Sequence, residues 1–395
     1  MTPTGTTRPR RRLVAVVAAV GVLGLLGVGL ALFGGSLAGP APPPPPSAAG
    51  VREPEPAPTT PAFGMMAWRA NKLGPADFAL LRASGARYYR FNLLTSTRDD
   101  GERRPPVAAV DRLIPAGVTQ DIEFLPVLLR TRAQRGGPKP GQVAEPPETE
   151  RERATWRSRV RFLAERYGPD GRFWRENPGL PYRPVRAWEV WNEPNLRQFW
   201  DRRKVDPREY GRLLRETRTA LRGADPNARV VSAGLAARYA GARYLSTALA
   251  EAGPCSVDAI GIHPYAPTTR RAIAHLTDAR RVADARGAVG VPLWTTEVGW
   301  KVGGRGYSNV PDARAQAREL ASFAVASDRL RNDLKLGPSF AFALRDRQNL
   351  KTGRVDSTVG LRRADDRPKP AWGVWSLAAR AAPELPLPPA RRCAR

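Results

Sequence analysis

Between Ala62 and Asp346 the sequence alternates eight times between a short apolar run and an amphipathic stretch, and no other feature constrains the fold as much. The apolar runs fall at 62–68 (AFGMMAW), 86–94 (ARYYRFNLL), 119–129 (TQDIEFLPVLL), 186–193 (RAWEVWNE), 228–236 (ARVVSAGLA), 257–265 (VDAIGIHPY), 292–300 (PLWTTEVGW) and 338–346 (PSFAFALRD). Helix-period patterns separate them. In REYGRLLRETRTALRGA, for example, Leu213, Leu214, Thr217 and Leu221 recur on one face before ADPN ends the segment. Strand followed by helix implies parallel strands joined by crossovers, and eight such units close a (β/α)8 barrel. A doubly wound open sheet is the alternative α/β architecture, but no glycine-rich phosphate loop follows the first strand. The expected barrel domain, residues 62–383, is longer than the ~250 positions of a minimal barrel. Its surplus sits at 131–150, after the third strand, and at 168–185, after the third helix.

In such a barrel the C-terminal ends of the strands surround the active site. Glu193 ends the fourth strand in WNEPN, where Pro194 cannot donate to the ladder and helps stop it. Glu297 ends the seventh strand in TTEVGW. Two carboxylates from different strands would thus face one hollow. Glycoside hydrolysis needs that arrangement: one acid protonates the leaving oxygen while a second carboxylate faces the anomeric carbon. Glu189, four residues before Glu193, lies ~13 Å deeper at ~3.3 Å per residue and reads as a buried ion-pair or hydrogen-bonding group.

WNEPN, IHPY and TEVGW, in this order and each at a strand end, resemble the retaining (β/α)8 glycoside hydrolases of the large clan that holds cellulase-like and xylosidase-like families. The resemblance runs from about Ala62 to about Trp372. It implies that Glu193 is the general acid/base and Glu297 the nucleophile. It further implies that Asn192 bonds the sugar 2-hydroxyl, that His263 and Tyr265 line the cleavage subsite, and that Tyr265 steadies the nucleophile. Arg90, in YYRFN, matches an arginine that keeps the nucleophile ionised. Trp300 is a candidate platform beneath a sugar ring. The chemistry calls for no metal and no organic cofactor, and the partner is a carbohydrate. One departure stands out: many members place a tryptophan at the end of strand eight, where this sequence has only Phe340 and Phe342. A transglycosylase, or a non-catalytic carbohydrate-binding or wall-organising protein on the same scaffold, fits the same residues. The motifs fix neither the sugar nor endo against exo cleavage.

Outside the barrel, Arg8, Arg10, Arg11 and Arg12 form a basic N-terminus (1–12) before the charge-free run 13–35. That run exceeds the ~20 residues that cross a bilayer, and its flanking arginines should stay in the cytoplasm. It reads as a signal anchor with the barrel outside the cell, or as a cleaved signal releasing a secreted protein, since SLAG (36–39) offers small residues for cleavage. The Pro-rich stretch 36–61 reads as an extended linker, and 384–395 as a tail. Cys255 and Cys393, the two cysteines, can pair outside the cell but are too few to build a metal site. The net charge of +27 raises nucleic acid as a partner, yet the arginines are scattered and no nucleic-acid motif with interleaved aromatics accompanies them. The expectation is therefore no nucleic-acid partner.

Overall fold

A computed structural model describes residues 59–68, 72–96, 107–131, 145–200, 204–239, 241–349 and 351–391. The expected anchor at 13–35, nearly all of the linker, most of the loop 131–150 and Cys393 lie outside the described residues. Among the described residues no helix is long and apolar enough to cross a membrane.

Eight parallel strands close a barrel: β1 (Phe63–Met66), β2 (Tyr88–Ser96), β3 (Glu123–Thr131), β4 (Ala187–Asn192), β5 (Arg229–Ala236), β6 (Ile260–His263), β7 (Leu293–Val298) and β8 (Leu336–Phe342). All eight expected strands are present. The last stops at Phe342 rather than running to Asp346. The principal outer helices are α1 (Pro75–Ser84), α2 (Ala108–Val118), α3 (Glu150–Tyr167), α4 (Pro207–Ala224), α5 (Gly241–Ala252), α6 (Thr269–Ala285), α7 (Ala313–Arg329) and α8 (Pro370–Ala381). Their starts carry local reasons. Thr149 and Glu152 form a reciprocal capping box at α3, and Asp206 caps α4 with Pro207 in its first turn.

The strand period splits the apolar residues into two cores. Tyr88, Leu125, Ala187, Val231, Ala259, Trp294 and Phe340 form a cluster of their own, contributed by seven neighbouring strand segments. It plugs the lower part of the barrel, so the polar side chains above it sit on a packed floor. The larger cluster binds the strands to the helices. Segment 168–185 joins α3 to β4 and so lies at the N-terminal end of the barrel, as its position after a helix implies. It contains a short helix, Arg172–Glu176, whose Trp174 packs edge-on to Tyr182. Thr59–Thr60 pairs antiparallel with Leu385–Pro386, so ordered structure extends slightly past both expected domain edges.

Candidate active site

The end of β4 is irregular. Trp191 and Glu193 have φ of +77° and +42°, a region that residues other than glycine enter seldom and at a cost. The ladder to β5 skips Trp191, pairing Val190 with Ser232 and then Asn192 with Gly234. Across that gap the Tyr210 hydroxyl of α4 donates to Val190 O and accepts from Ala233 N. With the alternation broken, Trp191 packs outward against Trp156 and Trp200. Asn192 and Glu193, consecutive residues, both reach the polar cluster in the mouth. The proline and the strained turn in WNEPN thus place two functional groups where a regular strand would place one.

Arg90 organises the cluster. It has no exposed surface. Its Nε and one terminal nitrogen grip Glu189 at 2.6 and 2.9 Å, and its other terminal nitrogen donates to Glu297 Oε1 at 2.6 Å. It also donates to Asn192 Oδ1 at 2.7 Å and contacts the Met66 sulfur at 3.0 Å. Burial disfavours its charge, but Glu189 and Glu297 outweigh that and hold the guanidinium protonated. Glu189 also accepts from Gly234 N at 2.9 Å, which makes it the deep ion-pair residue expected from its place in the strand.

On the opposite side of Glu297, Tyr265 donates its hydroxyl to Oε2 at 2.8 Å. His263 Nδ1 lies 3.0 Å from Glu193 Oε1 and 3.8 Å from Glu297 Oε2, and its Nε2 lies 3.1 Å from Thr296 Oγ1. Burial alone would raise the Glu297 carboxyl. The charges of His263 and Arg90, with hydrogen bonds from Tyr265 and Arg90, overcome this and hold it below the ordinary carboxylate range. Tyr265 shifts well upward, through burial and through the facing carboxylates Glu297 and Glu193, so it remains a donor at neutral pH.

Six of the seven sequence-predicted site residues therefore meet: Arg90, Asn192, Glu193, His263, Tyr265 and Glu297. Trp300 does not. It is 1 % exposed and packs against Phe323 of α7, while its carbonyl accepts from Gln316. Two residues past the end of β7, the chain has already turned outward, and the indole fills the barrel–helix interface instead of flooring a subsite. Asp346, past the end of β8, pairs with Lys369 at 2.7 Å. At the strand-eight position, Phe340 belongs to the barrel plug, whereas Phe342 meets Trp68, just beyond β1, at 4.5 Å between ring centroids.

Sequence reasoning missed Thr296 and Gly234. A Cβ at Gly234 would lie 2.0 Å from His263 Nε2 and 2.4 Å from Thr296 Oγ1, so the glycine makes room for the histidine. A glycine inside a strand is a signal of such close approach. Cys255 has no free thiol, and its expected partner Cys393 lies outside the described residues.

The fold is a (β/α)8 barrel, and its strand-end carboxylates Glu193 and Glu297 converge at one mouth. Residues 183–327, which hold WNEPN, IHPY and TEVGW, match the family model described as the glycosyl hydrolase catalytic core. The chain is 27 % identical over 163 residues to a β-xylosidase of Geobacillus stearothermophilus, covering 39 % of this chain and 29 % of that protein. It superposes with a TM-score of 0.62 on a monomeric β-xylosidase from Caulobacter crescentus, at 19 % identity, over 83 % of this chain and 70 % of the other. A family 39 glycoside hydrolase from the gut symbiont Bacteroides cellulosilyticus matches at 0.59 and 20 % identity, over 81 % and 63 %. At such identities the solved structures speak to the fold. The chain spans less than a third of the Geobacillus protein and under two thirds of the Bacteroides chain.

Proposed function

We propose that this protein hydrolyses O-glycosidic bonds with retention, Glu297 acting as nucleophile and Glu193 as acid/base. The observation that carries the reading is the convergence of both carboxylates on His263 Nδ1. By the sum of 3.0 and 3.8 Å, their nearest oxygens lie no more than 6.8 Å apart, a limit reached only if the nitrogen stood on a straight line between them. Retaining enzymes hold the pair ~5–5.5 Å apart, and inverting enzymes ~6.5–9.5 Å apart to admit a water. The depressed carboxyl of Glu297 suits an ionised nucleophile, which Arg90 and Tyr265 aim from either side.

Attack by Glu297 on the anomeric carbon breaks the bond to the leaving oxygen, which takes the proton of Glu193. Water, giving its proton back to Glu193, then releases the sugar and restores Glu297. Asn192, its oxygen held by Arg90, has its amide NH2 free to bond a sugar hydroxyl. Because named relatives are β-xylosidases, an aryl β-xyloside is the first probe of an aryl glycoside panel. Glu297→Gln should lower kcat/KM by ~10³-fold or more, as expected for loss of a covalent nucleophile; an active wild type with an equally active variant ends the assignment. We also propose that 13–35 anchors the chain with the barrel outside the cell. Full-length protein should then sediment with membranes and resist carbonate extraction, whereas recovery in the culture medium indicates the secreted form.

A further inference from the structure

We propose that Arg238, held between the rings of Tyr239 and Tyr307 at the catalytic rim, receives a carboxylate of the saccharide, so that the protein acts on acidic glycans; this deepens, and rests on, the glycosidase reading above. Arg238 follows β5 by two residues. Its guanidinium carbon lies 4.1 Å from the centroid of Tyr307, on the loop after β7, and 5.2 Å from that of Tyr239. Rings beside a guanidinium fix its plane and leave its edge donors free. Those donors have no carboxylate partner among the described residues. On the loop after β8, by contrast, Arg345 pairs with Asp77 and Asp366, and Arg347 with Asp356.

The platform is registered to the catalytic acid. Asn195, two residues after Glu193, donates to Ala236 O at 2.9 Å and Tyr239 O at 3.3 Å and accepts from Ala236 N at 3.1 Å. The Ala237 N–H donates to His263 O at 3.2 Å. Ala236 and Tyr239, which bracket Arg238, are thereby tied to the loop that carries Glu193. The two chain segments that meet at Arg238 carry charge of one sign. No Asp or Glu occurs from Ala228 to Ala250, nor from Gly299 to Pro311, where Lys301 and Arg305 add positive charge. An exposed guanidinium beside two tyrosine rings, with no ion-pair partner among the described residues, matches the planar two-oxygen face of a carboxylate.

Calorimetric titration of the Glu297→Gln protein tests this without turnover. The probes are a glucuronate-bearing xylo-oligosaccharide, an oligogalacturonate and an oligomannuronate, each beside its carboxyl-reduced counterpart. At least one acidic probe should bind ~10-fold or more tightly than its reduced form, in line with a charge-assisted bidentate contact. Adding Arg238→Gln should abolish that preference, leave affinity for the reduced form within about twofold and leave the melting temperature unchanged; Arg238→Lys should restore only part of it. No preference for any acidic probe, or a preference that survives Arg238→Gln, overturns the proposal. Turnover of neutral aryl glycosides by the wild-type chain reports separately on hydrolysis. An acidic preference without any turnover supports the Arg238 site while counting against the hydrolase reading.

Discussion

A buried guanidinium is costly unless its charge is matched, and Arg90 is matched by both Glu189 and Glu297. Glu189 takes two of its nitrogens and fixes its orientation, which leaves the third aimed at Glu297. The Tyr265 hydroxyl closes the other carboxylate oxygen, so the proposed nucleophile is gripped at both ends. The Tyr265 bond favours the ionised form, and removing it moves the Glu297 pKa upward. Because the folded-state value is depressed, the ionised Glu297 carboxylate persists below the ordinary glutamate value of ~4.3 and is lost as pH falls through that lower value. In Tyr265→Phe the acid limb of kcat/KM should therefore move to higher pH, with kcat lowered by ~10-fold or more. A pH–rate profile on an aryl glycoside reads both effects. A variant with reduced kcat and an unmoved acid limb would reassign Tyr265 to the sugar.

At the level of elements, the site depends on three adjoining strands keeping one register. Gly234 of β5 leaves the space that His263 of β6 occupies, and Thr296 of β7 holds the far nitrogen of that ring. Gly234→Ala should force the imidazole off Glu193, because the backbone cannot back away without disturbing the Asn192–Gly234 pairing. A loss of kcat of ~10²-fold, with ~1–3 kcal/mol of stability from overpacking, is expected by steady-state kinetics and thermal unfolding. Activity near wild type would show that the ring has room to shift. The barrel was legible because each buried strand is a compact apolar run, and because Asn-Glu-Pro, His-Pro-Tyr and Thr-Glu-Val-Gly mark strand ends. Glu189 was legible too, since depth along a strand follows from residue count. Thr296 and Gly234 were not, because their roles arise between strands, where linear order gives no distance. Trp300 failed for a related reason: past the last ladder residue, period-two reasoning no longer says which way a side chain turns. The contact between the β5 and β7 loops at Arg238 belongs to the same class.

Across the whole molecule the two ends of the barrel carry different electrostatics. The end that carries Glu193 and Glu297 concentrates buried, mutually paired charges. The other end holds a partly exposed network in which Arg87 and Arg183 meet Asp121, Glu123 and Glu384 beside the clasp of Thr59–Thr60 with Leu385–Pro386. In this network Glu384 is depressed, chiefly by its hydrogen bonds from Thr59 and Arg87, so its contribution to stability is lost as pH falls. Glu123 behaves oppositely. Burial pushes it up to about 7, against the attraction of Arg183. Between its unfolded value of ~4.3 and this folded value, the native state holds a proton that the unfolded chain has released, so stability declines as pH rises through that window. Glu123→Gln removes the titration. The variant's melting temperature should change less than that of wild type between pH 5 and pH 7.5, and it should exceed wild type at the upper end. Because Glu123 opens β3 at the end away from Glu193 and Glu297, kcat/KM should be unchanged. A wild-type melting temperature that holds or rises over this interval, in step with the variant's, would show that Arg183 already keeps Glu123 ionised in the folded state.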